Sequence, residues 1–263
     1  MSGHGTTGRR VRVSVCLAAY RGEAYIEEQV VSILDQLGPD DELVVVDDAS
    51  PDATYRLVAA LTDPRVRLSR NDTNRGYVRT FETALTTARG DYLFLADQDD
   101  VWLPGRVDAM LDALTYHAVV STSVAVIGEP IEPPRFRLRT RDSSRHAANI
   151  LAVMIGYRPY TGCAMAFRRD IFDSVVPIPA FVFESHDLWL ALVANTHRQN
   201  VHLQEPSVAR RLHDANQTPL GWRGPGEILR ARWMKARCLV AAMARARSYR
   251  PEPVDPSRWL RTT

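Results

Sequence analysis

Residues 93–102, LFLADQDDVW, run four apolar or small side chains straight into three carboxylates, Asp97, Asp99 and Asp100, within four positions. Like charges this close repel, so they are either solvated in a turn or gathered around something positive. A second acidic pair, Asp47-Asp48, ends the apolar run at 42–46. Carboxylates cannot grip a phosphate directly. They can hold a hard divalent cation such as magnesium or manganese, which then bridges to phosphate oxygens. Plainer roles compete with this one: acids ahead of Ser50-Pro51 suit a helix start, and the 97–100 cluster before Pro104 suits a solvated loop.

These acids need elements to hold them. A β-branched run at 11–17 reads as a strand, and 23–37 has helix spacing with Ile26, Val30, Ile33 and Leu34 on one face, stopped by Gly38-Pro39. A buried strand at 42–46 leads to a helix at 52–61, a short strand at 65–69, the turn Asn74-Arg75-Gly76, a helix at 79–88 and a strand at 91–96. Four βα units with near-continuous apolar strands predict an α/β domain with a parallel sheet covered on both faces. Ligands of such sheets sit beyond the carboxyl ends of the strands. Asp48 and the 97–100 cluster therefore fall on one edge and can share one ligand.

Several classes are excluded. The turn after the first strand reads AAYRGEAY, with one glycine, so neither a dinucleotide fingerprint nor a Walker loop is present. Thirty-three basic against 31 acidic residues leave a net charge of only +2, without the bulk charge of a general nucleic-acid binder. Cys16, Cys163 and Cys238 are widely spaced and form no CxxC pair, which fits a reducing cytosol better than a disulfide framework or a zinc site. Arg9-Arg10 precede an apolar run that is too short and too charged for an export signal, and 1–10 reads as a flexible tail. No segment reaches the ~20 apolar residues of a membrane span.

Taken together, LAAYRGEAYIEEQVVSIL, VVVDDASPD, NRGYVRTFETALTTARGDYLFLADQDDVW, TGCAMAF and SHDLWLALVA resemble, in order and spacing, the family 2 inverting glycosyltransferases of the GT-A fold, in particular a rhamnosyltransferase-like branch. The resemblance runs from 11 to about 218 and implies a catalytic domain at 11–222. It implies a nucleoside-diphosphate-sugar donor, a divalent cation (Mn2+ or Mg2+) and a glycan or lipid-linked acceptor. Asp48 would meet the nucleobase, Asp47 would shape its turn, and Ala19 and Tyr20 would lie near base and ribose. Arg75 would lie near the diphosphate. Asp97, Gln98 and Asp99 form the DxD segment, with Asp99 the stronger metal ligand and Asp97 its partner. Asp187 resembles the general base, flanked by His186 and Trp189, with Glu184 as a substitute. His213, in RRLHDANQT, resembles a late histidine that adds a metal or phosphate contact, although the usual tyrosine of that segment is Arg210 here.

Two rival readings stand beside it. Asp97-Gln98-Asp99-Asp100-Val101 formally satisfies the aspartate-nucleophile pattern of haloacid-dehalogenase phosphatases. That chemistry wants a core lysine, and the sole lysine, Lys235, lies in a C-terminal helix. The other rival is a nucleotide-sugar-binding protein without turnover. Outside the acids, Arg135, Arg137, Arg139 and Arg141 alternate, so an extended strand would put four guanidiniums on one face, either toward an anionic acceptor or as a solvated edge strand whose charges prevent aggregation. Residues 223–263 read as a basic amphipathic extension, with Ile228, Leu229, Trp233 and Val240 among Arg230, Arg232 and Lys235. Such a helix suits either peripheral attachment to the inner membrane face or packing on the core.

Overall fold

The computed structural model describes residues 12–128, 137–157, 160–211 and 224–251. Strand and helix alternate as expected through Val13–Ala19 (β1), Ile26–Leu34 (α1), Glu42–Asp47 (β2), Thr54–Ala59 (α2), Val66–Arg70 (β3), Tyr77–Thr87 (α3) and Tyr92–Asp97 (β4). Val101–Trp102 (β5), Arg106–Tyr116 (α4), Val119–Val126 (β6), His146–Met154 (α5), Met165–Arg168 (β7), Phe172–Val175 (α6), His186–Thr196 (α7), Asn200–Arg210 (β8) and Pro225–Ala246 (α8) follow.

The eight strands form one sheet in the order β3-β2-β1-β4-β7-β6-β8-β5. Its first half is parallel as predicted, with Cys16 opposite both Val44 and Leu95. The second half is mixed, with β6 parallel to β8. β7 runs antiparallel to β4 and to β6, and β5 antiparallel to β8. The four-residue strand MAFR is too short for its pattern to reveal direction, and a 3-10 turn at Gly162–Ala164, not a crossover helix, leads into it.

Both faces of the sheet are buried, which is why its strands lack alternation. Val15, Leu17 and Phe94 pack with Ile26, Val30, Met110 and Leu114 on one side. Cys16, Leu93 and Leu95 pack with Phe81, Leu85, Trp189 and Leu192 on the other. Each fully buried Leu or Phe contributes about 1.5–3 kcal/mol, so the two layers fix the sheet against its helices. The C-terminal helix joins the second layer through Met234, Cys238 and Ala242. It packs on the core, as one of the two expectations had it.

The alternating arginines do not form one extended face. Arg135 lies outside the described residues, and Thr140–Asp142 close a 3-10 turn that takes Arg141 out of the pattern. The buried Asp142 carbonyl, held by Asn149 Nδ2 at 3.0 Å, favours that turn over an edge strand. All three cysteines are buried and free.

Candidate active site

The carboxyl ends of β2, β1 and β4 open into a cleft of about 960 Å³ that continues past the start of α7 to α8. Ala19, Tyr20, Asp48, Asn74 and Gly76 line one end; Asp97, Gln98, Asp99, Asp187 and Arg210 follow, and Ala231, Met234 and Lys235 reach it from α8.

At the first end the polar groups answer one another. Asp48 Oδ1 accepts from Asn71 Nδ2 and from the Arg75 backbone N–H, each at 2.8 Å, and Oδ2 accepts from the Gly76 N–H at 2.9 Å. One carboxylate thus ties the loop after β3 to the end of β2. Arg75 contributes this backbone N–H, while its side chain is exposed and does not line the cleft. Asp47 is fully buried and also stays out of the cleft; its Oδ2 accepts from Ser50 N at 3.0 Å and Arg70 Nε at 3.1 Å, which shapes the turn into α2. Gln98 meets Tyr20 in a reciprocal pair, Oε1 accepting from the Tyr20 N–H at 2.6 Å and Nε2 donating to its carbonyl at 2.8 Å. Gly22 leaves room for this pair: a Cβ there would lie 2.5 Å from Gln98 Oε1 and force the glutamine to move off Tyr20.

The acid cluster answers the question of what stands among its charges. Burial and the neighbouring Asp100 and Asp99 raise the Asp97 carboxyl well above the ordinary range, with Arg210 opposing. Burial likewise raises Asp100. Asp100 is turned inward, 2% exposed, and its Oδ1 accepts from the Arg211 N–H at 3.3 Å. Side-chain atoms of Asp97, Asp100 and Cys163 lie within 4.8 Å of one another. The expected pair was Asp97 with Asp99; the fold brings Asp97 together with Asp100 as well, while Asp99 faces the cleft. Arg210, at the end of β8, is the cation among them, and the nearby acids keep it firmly protonated despite its burial. It was not among the predicted site residues. Its departure from the family's tyrosine was the only signal, and sequence gave no hint that β8 ends beside β4's acids. His213 lies outside the described residues.

Asp187 sits in the first turn of α7. Burial raises its carboxyl to about 6, against the opposing Leu188 N–H, which donates to Oδ1 at 2.7 Å, and the charges of Arg210 and Lys235. The turn ahead of it is held by Tyr77, whose hydroxyl accepts from the Ser185 N–H at 2.7 Å while Ser185 takes a left-handed φ of 59°. His186 packs between Tyr77 and Phe81, with ring centroids 5.6 and 4.3 Å away. Burial lowers its imidazole to about 4, so it is neutral at pH 7, and neither ring nitrogen has a hydrogen-bond partner among the described residues. Glu184 also lines the cleft. Trp189 is instead core, its Nε1 donating to the Val175 carbonyl at 2.8 Å.

The residues present fit a divalent cation. Asp100 Oδ2 is a buried oxygen with no nitrogen or oxygen donor among the described residues. Protonation is favoured at Asp97 and Asp100 first by burial and then by the neighbouring acids, and a cation would relieve the unfavourable negative charge there. Cys163 stays a neutral thiol, its ionisation pushed up by burial and the same acids, so the donor set is oxygen and suits a hard ion. Lys235 corrects a sequence inference: although it lies on the C-terminal helix, it lines the cleft. The case against a phosphatase of that type therefore rests on the acids ending the fourth strand, where the aspartate-nucleophile pattern normally ends the first, and not on the lysine's distance.

Comparisons with known proteins agree with this geometry. Residues 14–176 match the domain described as glycosyl transferase family 2. Succinoglycan biosynthesis protein ExoO of Rhizobium meliloti (strain 1021) is 42% identical over 100 residues, 38% of this chain and 29% of that protein. UDP-Glc:alpha-D-GlcNAc-diphosphoundecaprenol beta-1,3-glucosyltransferase WfgD of Escherichia coli is 30% identical over 102 residues, 39% of this chain and 40% of that one. The chain thus spans less than half the length of these relatives. Among solved structures, S. aureus TarS 1-349 in complex with UDP-GlcNAc aligns with a TM-score of 0.65 at 18% identity, covering 91% of this chain and 73% of TarS. The fold is therefore GT-A, and the chain belongs to glycosyl transferase family 2.

Proposed function

We propose that the protein transfers a sugar from a nucleoside diphosphate to an acceptor hydroxyl, with inversion at the anomeric carbon and Asp187 as the general base. One observation carries this reading: a carboxyl raised to about 6 faces the same cleft as Asp48 and the acid cluster. A base whose pKa approaches the working pH combines an ionised state with real proton affinity. The acceptor oxygen attacks the anomeric carbon from the face opposite the diphosphate and gives its proton to Asp187. The carbon–oxygen bond to the diphosphate breaks, and its electron pair leaves with the nucleotide. Arg210 offers positive charge where negative charge develops on the departing group. Asp97 and Asp100, with Asp99 from the cleft side, would hold the divalent cation, which when bound supplies further neutralisation of that charge. At the other end, Asp48 and the Gln98–Tyr20 pair fix the loops that receive the base and ribose.

The relatives bear on substrate class. WfgD's name specifies UDP-glucose and a diphosphoundecaprenol-linked acceptor, and a TarS complex holds UDP. The rhamnosyl-like motifs point to a dTDP-deoxysugar. Both donors are pyrimidine nucleoside diphosphates, and we infer one of these, with a glycan or lipid-linked acceptor in polysaccharide assembly on the cytoplasmic side. Thermal stabilisation by UDP, dTDP and GDP, each with and without manganese, tests this on the wild type and Asp99→Ala. A pyrimidine-selective, manganese-dependent rise that the variant loses is the expected result. No rise with any nucleotide would refute the donor site.

A further inference from the structure

The helix α8 is apolar on two opposite faces. One face is used: Met234, Cys238 and Ala242 are buried against the core. At 100° per residue, Leu229, Trp233, Ala236, Val240 and Met243 fall on the reverse side. They are exposed there, Leu229 to 70%, Trp233 to 66%, Val240 to 69% and Met243 to 50%. A water-facing ridge of this kind is costly unless something covers it. Beside it, α5 adds exposed Leu151 and Ile155 on one of its own faces, followed by Tyr157. The two helices are joined where Lys235 Nζ donates to the Val153 carbonyl at 3.3 Å.

The charges around the ridge identify its partner. Exposed Arg230, Arg232 and Arg237 flank it on both sides, and Glu227 is the only acid in the helix sequence. Arg230 and Arg237 lie over the rings of Phe183 and Phe181, at 4.3 and 4.1 Å, which holds their guanidiniums at the margin of the ridge. An exposed tryptophan with aliphatic neighbours, rimmed by cations, is the chemistry that enters the headgroup layer of an anionic bilayer. A second protein would more commonly offer acids to pair with, and would not need an apolar ridge flanked by Arg230 and Arg237 on one side and Arg232 on the other.

We propose that α8, together with the exposed end of α5, seats the protein on an anionic lipid surface. No part of the fold has to open for this, because the ridge is opposite the packed face. The cleft end lined by Gly156, Ala231 and Lys235 adjoins the same helix, which would keep an acceptor carried on a lipid near the site. This goes beyond the transfer reading and stands or falls separately from it.

Flotation of the full chain with phosphatidylcholine vesicles, alone or carrying phosphatidylglycerol, tests the proposal. We expect binding only with phosphatidylglycerol, weakening with added salt. Leu229→Ala with Trp233→Ala removes two large apolar groups from the surface and is expected to lower vesicle binding at least about tenfold. Arg232→Glu is expected to lower it on anionic vesicles as well. Unchanged melting temperatures and nucleotide-induced shifts in both variants would show that fold and donor site are intact. No flotation with either vesicle, or equal flotation with both and indifference to Arg232→Glu, would overturn the proposal. So would a dimer in lipid-free solution that the Leu229/Trp233 variant abolishes, since the ridge would then belong to a second copy of the chain.

Discussion

The two ends of the cleft handle charge in opposite ways. Both carboxylate oxygens of Asp48 have donors, supplied by Asn71, Arg75 and Gly76. Around Asp97 and Asp100, burial and neighbouring acids raise the carboxyls, and burial alone raises Asp187. The first arrangement is finished before any ligand arrives, so its acids serve mainly to position loops. The second is incomplete by itself, and only a ligand or an ion relieves it. Residues of the same type on the same sheet edge thus serve as scaffold in one place and as reactive groups in another, and their hydrogen-bond partners make the difference.

The sharpest way to break this contrast is Asp187→Asn. Turnover is expected to fall by about 10²–10⁴-fold while nucleotide-induced stabilisation persists, measured by transfer assay and thermal shift. Retained transfer would move the base to Glu184; retained binding without any wild-type transfer would instead favour a protein that binds donors without turnover. The same variant probes stability. Because the fold raises Asp187 from 3.8 to about 6, its contribution is most favourable below its ordinary range and is lost as pH rises through about 6. Asp187→Asn is therefore expected to melt no lower than wild type at pH 8.

Asp48→Ala should behave in the opposite sense. It strips three donors of their acceptor, which costs about 2–4 kcal/mol and lowers the melting temperature by roughly 5–10 °C. Nucleotide affinity should drop with it. A variant that melts like wild type would show that the loop after β3 is held by something else.

Two glycine substitutions compare the ends directly. Gly22→Ala pushes a Cβ to 2.5 Å from Gln98 Oε1 and should raise donor KM through the Tyr20 loop. Gly162→Ala pushes one to 2.5 Å from His186 Nε2 and should lower kcat through the turn that carries Asp187. Each is expected to change its parameter by about tenfold, corresponding to the ~1–3 kcal/mol of overpacking. Equal effects on both parameters in both variants would erase the distinction. The smallest effect is in pH: kcat should fall on an acid limb near 6 as Asp187 takes up its proton.

Much of this was legible in the residues. The acids after β2 and β4 follow apolar runs whose lengths fit strands, so their place on a common edge could be read from the βα alternation. Helix starts were less so: α1 begins at Ile26, three residues later than predicted, because Gly22 N–H and Arg21 N–H are tied to Thr54 and Ser50 from the next turn. The role of Asp47 as a turn former could be anticipated from the Ser50-Pro51 that follows. That Asp100, and not only Asp99, joins Asp97 could not, since three acids in a row of four positions give no sign of which one turns inward.

By itself the sequence determined the order of elements in the parallel half, the acids at their ends and the family. Those are local properties, carried by periodicity and by motifs a few residues long. Only the tertiary structure decided that Arg210 stands among acids more than a hundred residues earlier, that Lys235 reaches the cleft, and that α8 keeps an apolar face outward. These follow from sheet order and helix packing: β5, directly after the acids, pairs antiparallel with the end of β8, Val101 opposite Ala209, which sets Arg210 beside them, and α8 has one core to cover with two apolar faces. Periodicity reports that a face is apolar, and packing alone chooses which face is buried.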